Sequence, residues 1–397
     1  MIDRRNLLLR SAALGGATLL MPTMALAAAA TDKRLLFVLQ RGAADGLATL
    51  APVGDPDFLR RRDRLADGVE DLPKLDGFFA LHPAFENIGG LYRDGQALFV
   101  HAVATSYRER SHFDAQNLLE SGGTEAYAVR DGWLNRLLGL LPDGGARALA
   151  LSPAVPLALQ GQHSVSSYAP SALPEATGNM MDRVAQLYRS DPQLSGLLDE
   201  ALRTREMAGD TQLKNLRDAE KTGELAASLM RGPEGARIMM VESDGWDSHA
   251  GQRFQFNQQA TRLDAMLGAY RSGMGVDWND TLVLVATEFG RTVARNGTDG
   301  TDHGTAGAAM LLGGSVAGGR VLADWPGLAA KDLYEERDLR PTRSLEAVLA
   351  GAVAAHFGIE PPLAMRTLFP DRDAQAEEGL LRSQSSIVRP QNGLRSS

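Results

Sequence analysis

Histidines and carboxylates recur in short polar clusters of this chain, each beside an apolar segment. The candidate donors are Asp45, His112, Asp247, His249, Glu288, Asp302 and His303. Imidazole nitrogens and carboxylate oxygens are protein ligands of divalent zinc, manganese and calcium ions. The chain has no cysteine, which excludes thiolate ligands and thiol nucleophiles. These residue types therefore predict a divalent metal site built from histidine and carboxylate.

Two of these clusters have a spacing that suits one ion. Asp247 and His249 are separated by one residue, and residues i and i+2 of an extended loop point the same way. Asp302 and His303 lie in a glycine-rich loop, residues 297 to 307. Asp244 is a further candidate ligand. The alternative for His249 is a loop histidine whose ring nitrogens form hydrogen bonds with neighbouring groups and bind no metal.

Two carboxylates follow apolar runs. Asp45 comes after the first run, and Glu288 ends the most apolar one, residues 281 to 286. Turn formation by Asp45 and Gly46 is the alternative to metal binding at the first position. Arg291 is either an ion-pair partner of Glu288 or a bidentate clamp for an anion.

A hydroxyl stands at the start of a predicted helix, in the segment Ser111-His112-Phe113-Asp114. A helix N-terminus offers free N–H groups to a phosphate or sulfate, and a metal could activate Ser111 as a nucleophile. Ser106 is a rival for that role. The alternative is a capping box, because Ser-x-x-Asp also fits that motif.

The rest of the chain predicts a scaffold that brings these clusters together. Apolar runs predict strands at residues 35–39, 97–103, 146–151, 155–159, 237–241, 281–286 and 308–312. Segments with helical spacing alternate with them. This alternation predicts an α/β fold, a three-layer sandwich with a mostly parallel central sheet. Ligands bind outside the carboxyl ends of such strands, where we expect the clusters to meet.

The domain organisation is predicted from composition. Residues 28–382 form one domain, with a helical insertion at about 178–232, where no strand is predicted. The arginine run at residues 60–64 is interpreted as a solvated face, with an anionic-ligand patch as the alternative. Residues 383–397, rich in serine, glutamine and arginine, are expected to form a loose tail.

The N-terminus indicates export. Arg4-Arg5, an apolar stretch at residues 11–23 and the small-x-small site Ala25-Leu26-Ala27 predict a twin-arginine signal peptide, residues 1–27. An ordinary secretory signal is the alternative. We expect the twin-arginine export machinery as a partner, a periplasmic or secreted location, and no membrane span after cleavage. The net charge of −8 argues against a nucleic-acid partner.

Three segments resemble the DUF1501 group of exported proteins within the alkaline phosphatase–sulfatase superfamily. They are Trp246-Asp247-Ser248-His249, Thr287-Glu288-Phe289-Gly290-Arg291 and Gly300-Thr301-Asp302-His303-Gly304. The resemblance covers nearly the whole mature chain. It implies a central sheet with helices on both sides, commonly two metal ions, and cleavage of phosphate or sulfate esters. The implied substrate is a small anionic ester or an anionic polymer.

The resemblance also implies roles for single residues. Asp45 matches the first metal carboxylate, Ser111 the nucleophile and His303 the last histidine. Asp247 and His249 fall where an Asp-x-x-x-His pair is usual, and Glu288 falls where Asp-His is usual. Phe289 stands in place of the second histidine of that pair. Because phenylalanine cannot bind a metal, the two-metal site is incomplete, and His112 is a candidate substitute.

The sequence therefore predicts an exported, metal-dependent hydrolase of a phosphate or sulfate ester. Ser111 or an activated water molecule would attack, and Arg291 would offset the developing negative charge. The alternative is a non-catalytic binding or assembly protein that keeps the fold, which Phe289 favours. A third interpretation makes the histidines and carboxylates a structural metal site only.

Overall fold

The computed structural model describes residues 31–69, 72, 74–142, 147–171, 178–209 and 213–382. The predicted signal peptide at residues 1–27 and the predicted tail at residues 383–397 lie outside the described residues. Within the described ranges, no helix has the length and apolar character that crossing a membrane requires.

A mostly parallel sheet forms the centre of the molecule. Its strands are β1 (Arg34–Gln40), β4 (Ala97–Ala104), β5 (Ala148–Ala150), β6 (Ser166–Ser167), β7 (Ile238–Ser243), β8 (Thr281–Thr287), β9 (Gly307–Gly313), β10 (Arg320–Leu322) and β11 (Arg343–Ser344). Strands β2 (Leu50–Ala51) and β3 (Ala80–Leu81) form a separate two-stranded sheet. The order in the central sheet is β10-β4-β9-β8-β1-β7-β5-β6, and β11 also pairs with β4. Strand β9 runs antiparallel to β4 and β8, whereas the other neighbours in this sheet are parallel.

Helices cover both faces of this sheet. They are α1 (Gly46–Thr49), α2 (Phe58–Arg62), α3 (Glu86–Arg93), α4 (His112–Ser121), α5 (Trp133–Leu138), α6 (Gly178–Tyr188), α7 (Pro192–Ala208), α8 (Ala219–Met230), α9 (Gln252–Met274), α10 (Leu345–Phe357) and α11 (Pro361–Leu368). Successive side chains of β1 point to opposite faces. Leu36 and Val38 join the core formed with α3, α8 and α9, whereas Phe37 joins the core formed with α5, α10 and α11. The predicted three-layer α/β fold is confirmed.

Local predictions had mixed outcomes. Ser344 caps α10 as predicted, and its side chain accepts a hydrogen bond from the Ala347 N–H. Residues 155–159 were expected to form a strand, but residues 157–159 form a short 3-10 helix instead. In the arginine run at residues 60–64, Arg60, Asp63 and Arg64 are exposed, as a solvated face requires, and Arg62 is the exception. Arg62 is buried, because its guanidinium pairs with the buried carboxylate of Asp45.

The direction of β9 decides where the polar clusters lie. The loop of residues 288–306 leaves β8 at the carboxyl edge of the parallel strands. Because β9 runs antiparallel to β8, it begins at that same edge. The loop therefore stays at one edge of the sheet, and it brings Glu288, Arg291, Asp302 and His303 to the end of the sheet where Asp247 follows β7.

Two histidines are buried inside the fold. His101 in β4 accepts a hydrogen bond from the Ala102 N–H at Nδ1 and lies with Nε2 3.1 Å from the Leu50 carbonyl oxygen. His356 in α10 lies with Nε2 2.9 Å from the Arg34 carbonyl oxygen. Burial lowers the pKa of His101 to about 4 and that of His356 to about 3. Both side chains are therefore neutral in the folded protein at neutral pH.

We predict that acid weakens this fold before its carboxylates are protonated. The unfolded histidines take up protons below their ordinary pKa of about 6.5, whereas the folded ones do not. The free energy of unfolding should therefore fall from about pH 6.5 towards about pH 4, by up to about 1.4 kcal/mol per pH unit for each histidine. Urea unfolding at a series of pH values measures this slope. The variant His356→Gln should show a smaller slope, and equal stability at about pH 7 and about pH 5 would contradict the prediction.

Candidate metal centre

Three histidines at the carboxyl edge share one protonation pattern. Nδ1 of His303 lies 2.9 Å from the Arg110 carbonyl oxygen. A carbonyl oxygen only accepts hydrogen bonds, so Nδ1 carries the proton and Nε2 of His303 keeps a lone pair. Nδ1 of His249 donates in the same way to Asp302 Oδ1, 3.1 Å away. Both Nε2 atoms are therefore available as metal ligands.

His112, the first residue of α4, completes the set. Its Nδ1 lies 2.8 Å from Glu288 Oε1, so the neutral ring donates from Nδ1 and keeps its lone pair on Nε2. This Nε2 is buried and has no hydrogen-bond partner among the described residues. A histidine that donates its second N–H to a carboxylate is the usual arrangement of a metal-bound imidazole.

The three Nε2 atoms converge on the carboxylate of Asp247. Nε2 of His249 lies 3.0 Å from Nε2 of His303 and 3.1 Å from Asp247 Oδ1. Nε2 of His303 lies 3.3 Å from the same oxygen, and Nε2 of His112 lies 3.5 Å from Asp247 Oδ2. Donor atoms of His112, Asp247 and His303 all lie within 4.8 Å of one another.

His112, Asp247 and His303 form a group that could hold a divalent cation such as zinc, because their donor atoms lie within 4.8 Å of one another. His249 lies beside this group, with its Nε2 3.0 Å from Nε2 of His303 and 3.1 Å from Asp247 Oδ1. The lone pairs of His249 and His303 would repel each other at 3.0 Å unless a cation or a proton lies between them. The chemistry of the donor set therefore supports a metal ion here.

Arg291 holds the carboxylate of Asp247 in place. Its Nη1 lies 2.6 Å from Asp247 Oδ1, Nε donates to Thr301 Oγ1 at 3.0 Å, and Nη2 donates to the Thr301 carbonyl. Burial opposes the charge on Asp247, but the hydrogen bond from Arg291 lowers the pKa of this carboxyl below its ordinary value. The Arg291 side chain is 0% exposed, so it lies behind Asp247 and does not reach solvent.

Glu288 plays the corresponding role for His112. Its buried carboxylate accepts hydrogen bonds from the Gly42 N–H and from Gln116 Nε2, each at 2.9 Å. Burial alone would raise the pKa of Glu288, but the hydrogen bonds from His112 and Gln116 lower it. The hydrogen bond to Glu288 in turn raises the pKa of His112. Glu288 is thus the partner of His112 and not of Arg291.

Two glycines allow the loops to approach this closely. Gly42 follows β1 with φ of +112°, and a Cβ atom there would lie 2.6 Å from the Asp247 backbone nitrogen. A Cβ atom on Gly300 would lie 2.2 Å from the carbonyl carbon of His249. Any larger residue at either position would push Asp247 or His249 away from the cluster.

Phe289 forms an apolar wall of the cluster. Its buried ring stacks on His112 with centroids 5.0 Å apart, and its centroid lies 5.2 Å from that of His303. The side chain that replaces the expected histidine therefore packs against two of the candidate ligands. It fixes the orientation of their rings and offers no donor atom.

Asp45 lies one layer behind the cluster. Its Oδ1 caps α1 by accepting hydrogen bonds from the Leu47 and Ala48 N–H groups, and its Oδ2 accepts from Arg62 and Gln252. Both carboxylate oxygens are thus already hydrogen-bonded to protein groups. Asp45 is not one of the residues whose donor atoms converge.

Gln252 and Thr301 connect Asp45 to the cluster. Thr301 lies in one of the segments that resemble the family, whereas no sequence pattern points to Gln252. The Gln252 Oε1 atom accepts hydrogen bonds from Thr301 Oγ1 and from Ser248 Oγ at 3.1 Å. Thr301 Oγ1 is also the acceptor for Arg291 Nε. A buried relay of hydrogen bonds therefore runs from Asp45 through Gln252, Thr301 and Arg291 to Asp247.

Ser111 lies beside the cluster, directly before His112. It occupies the N-cap position of α4, but its side chain makes no capping hydrogen bond. The expected capping box is also incomplete, because the Ser111 N–H donates to the Tyr107 hydroxyl, 3.3 Å away, and that hydroxyl in turn donates to Asp114. The hydroxyl of Ser106, the rival nucleophile candidate, accepts a hydrogen bond from the Arg372 guanidinium. Of the two serines, Ser111 is the one adjacent to a candidate ligand.

Comparisons with known proteins give a family. A search of curated proteins found no match. Similar solved structures include the alkaline phosphatase from the Antarctic bacterium TAB5 (TM-score 0.36, 9% identity, 71% of this chain and 91% of that chain). The lipoteichoic acid synthase LtaP from Listeria monocytogenes has a TM-score of 0.34 at 10% identity, covering 88% of this chain and 74% of that chain. The phosphonate monoester hydrolase of Agrobacterium radiobacter has a TM-score of 0.32 at 11% identity, covering 84% of this chain and 73% of that chain.

A protein-family model is matched over most of the chain. Residues 32–363, which include every candidate ligand named above, match the model described as "Protein of unknown function (DUF1501)". This chain belongs to the DUF1501 family.

Proposed function

We propose that this chain is a metal-dependent hydrolase of a phosphate or sulfate ester. The proposal rests on one observation, the convergence of three imidazole Nε2 atoms and one carboxylate at the rim of the sheet. His112, His303 and Asp247 would hold the ion, with His249 as the fourth ligand. Three nitrogen donors favour zinc or manganese over calcium, which prefers oxygen ligands.

The charge of the donor set suits an anionic ester. Three neutral imidazoles and one carboxylate carry a single negative charge, so a divalent ion leaves the centre with a net positive charge. A divalent ion at this position would polarise an ester oxygen and lower the pKa of the attacking group. Phosphate and sulfate esters carry the negative charge that such a centre attracts.

The chain supplies a nucleophile candidate next to this centre. Ser111 directly precedes the candidate ligand His112 at the N-terminus of the ten-residue helix α4. The first N–H groups of a helix point out of its N-terminus, where they can bind an anionic group. We infer that Ser111 attacks the ester or orients the attacking water. Arg291 contributes indirectly, since its buried guanidinium keeps Asp247 ionised and in place.

Phe289 also supports a second candidate function, a non-catalytic metal-binding or assembly protein. Its buried ring fills the position where the resemblance to the superfamily places a metal-binding histidine. A centre with one ion can bind an anion without turning it over. Export by the twin-arginine machinery to the periplasm or beyond is part of both candidates, and its support is the Arg4-Arg5 segment.

We predict that the mature protein binds one zinc or manganese ion and that binding needs the cluster. The variants His303→Ala and Asp247→Asn should each weaken zinc binding at least about 100-fold, measured by calorimetry on metal-free protein, because each removes one ligand. The control is His163→Ala, which removes an exposed imidazole outside the cluster and should bind zinc normally. Hydrolysis of aryl phosphates and aryl sulfates should appear with the metal and stop with a chelator.

The outcomes separate the candidate functions. Both the hydrolase and the metal-binding protein would be contradicted if the protein bound no stoichiometric metal ion, or if His303→Ala bound zinc as tightly as the unchanged protein. Tight zinc binding without turnover of either ester class would favour the binding protein. If a chelator lowers the melting temperature and no anion binds, the metal is structural.

A second prediction concerns the carboxylate behind His112. Glu288→Gln keeps the shape of the side chain but removes its charge, so zinc affinity should fall about 10- to 100-fold. In the metal-free variant the pKa of His112 should also fall, because the hydrogen bond to ionised Glu288 is what raises it. NMR titration of the imidazole signals measures this change. Asp302→Asn is the control, because Asp302 contacts His249 and its substitution should leave the pKa of His112 unchanged. An unchanged pKa of His112 in Glu288→Gln would refute the assignment of Glu288 as the partner of His112.

A further inference from the structure

The carboxylate of Asp338 joins two arginines that both contact the candidate ligand His303. Asp338 lies in the loop between β10 and β11, and its side chain is fully buried. Its Oδ2 atom accepts a hydrogen bond from Arg110 Nε at 2.9 Å and lies 2.8 Å from Arg110 Nη2. Its Oδ1 atom accepts a hydrogen bond from Arg337 Nε at 2.8 Å. One carboxylate therefore fixes two guanidinium groups.

Both arginines use a second polar group to hold His303. The carbonyl oxygen of Arg110 accepts the hydrogen bond from His303 Nδ1, 2.9 Å away. Nη2 of Arg337 donates to the His303 carbonyl oxygen at 2.6 Å. The ring and the main chain of His303 are thus each held by a residue that Asp338 binds.

The main chain of Asp338 is itself anchored. The Asp338 N–H donates to the Tyr334 carbonyl at 3.0 Å, and the Tyr334 N–H donates to the Asp338 carbonyl at 2.9 Å. Asp338 also forms a β-bridge with Thr292, the residue after Arg291. The carboxylate therefore has a fixed position relative to the loop of residues 288–306, which carries His303.

Arg110 presents its carbonyl oxygen through an unfavourable backbone conformation. Its φ is +62°, in the left-handed region that residues other than glycine rarely adopt. Such a conformation costs free energy and persists where surrounding contacts fix it. Here the Arg110 guanidinium is fixed by Asp338 and by an ion pair with Glu335, a side chain that is 56% exposed. Without the buried carboxylate, we expect Arg110 to relax and its carbonyl to turn away from His303.

The hydrogen bond at Nδ1 decides whether His303 can bind a metal. A neutral imidazole carries one proton, and the hydrogen bond at one nitrogen determines which nitrogen keeps a lone pair. With the Arg110 carbonyl as acceptor, the lone pair is on Nε2, 3.3 Å from Asp247 Oδ1. Loss of this acceptor would let the ring rotate or carry its proton on Nε2, and either change would oppose metal binding.

We propose that Asp338 is a positioning residue of the candidate metal centre. It gives no donor atom to the ion. It holds Arg110 and Arg337, and these two residues keep Nε2 of His303 directed at the cluster. This inference rests on the metal binding of the proposed function, and it assigns a role to a residue outside the three segments that resemble the family.

The test measures zinc affinity by calorimetry on the mature protein and its variants. Asp338→Asn keeps the shape of the side chain and removes its charge, so zinc affinity should fall about 10- to 100-fold. Arg337→Met removes only one of the two arginines and should cause a smaller loss. The control is Asp264→Asn, which changes another buried aspartate, one that accepts hydrogen bonds from Asn87 and Ile88. This control should bind zinc as tightly as the unchanged protein.

Two further measurements separate positioning from a general loss of structure. In the His303→Ala background, Asp338→Asn should cause no additional loss of zinc affinity, because the residue through which it acts is absent. In NMR spectra of the zinc-loaded protein, the Nδ1–H of His303 should exchange with water faster in Asp338→Asn than in the unchanged protein. The Nδ1–H of His112, which donates to Glu288, should exchange at the same rate in both.

The contrary outcomes are distinct. Unchanged zinc affinity in folded Asp338→Asn, equal losses in Asp338→Asn and Asp264→Asn, or the same loss with and without His303 would overturn the inference and leave the proposed function standing. If circular dichroism shows that Asp338→Asn is unfolded, Arg337→Met, whose native side chain is 46% exposed, takes its place, and unchanged affinity there would overturn the inference. Absence of zinc binding by the unchanged protein would refute the proposed function together with this inference.

Discussion

The ion pair between Asp247 and Arg291 is the interaction on which the candidate centre depends. Asp247 follows β7 and Arg291 follows β8, and these two strands flank β1 in the sheet. The pair therefore joins two loops across the end of β1, where Gly42 leaves room for the Asp247 backbone. Because the guanidinium is buried, the cost of its desolvation is offset only while Asp247 and Thr301 both accept its hydrogen bonds. The carboxylate is thus fixed before any ligand arrives.

Strand β9 is the second requirement, and it marks the limit of prediction from the sequence. Apolar runs predicted β1, β4, β7, β8 and β9 because buried strands need continuous apolar residues. They give no direction, however. In a wholly parallel sheet a histidine before a strand would lie at the opposite edge, away from Asp247. His303 reaches the cluster because β9 reverses direction, which depends on pairing with β4 and β8.

The partners of the candidate ligands were harder to predict than the ligands. His112, His249 and His303 were identified from residue type and position, but their Nδ1 atoms donate to three unrelated acceptors: Glu288, Asp302 and the carbonyl of Arg110. A backbone carbonyl leaves no mark in a sequence, and Arg110 adopts a positive φ of 62° to present it. Arg62 was expected at the surface because four neighbouring charged residues hid its burial. Such contacts join residues that are distant in the chain, and they follow no periodic pattern. A single sequence therefore does not predict them.

The contacts of the carboxylates determine the net charge that the candidate centre would have with a divalent ion bound. The resemblance to the superfamily implied Asp45, Asp247 and Glu288 all as metal ligands. Three carboxylates would leave a net negative charge around one divalent ion and repel a phosphate or sulfate ester, whereas the two ions that the resemblance commonly implies would not. In the structure Asp45 is neutralised by Arg62, and Glu288 is engaged by His112, Gln116 and the Gly42 N–H. Only the charge of Asp247 then remains among the converging donors of the described residues, so histidine ligation and Phe289 together favour one ion with spare positive charge.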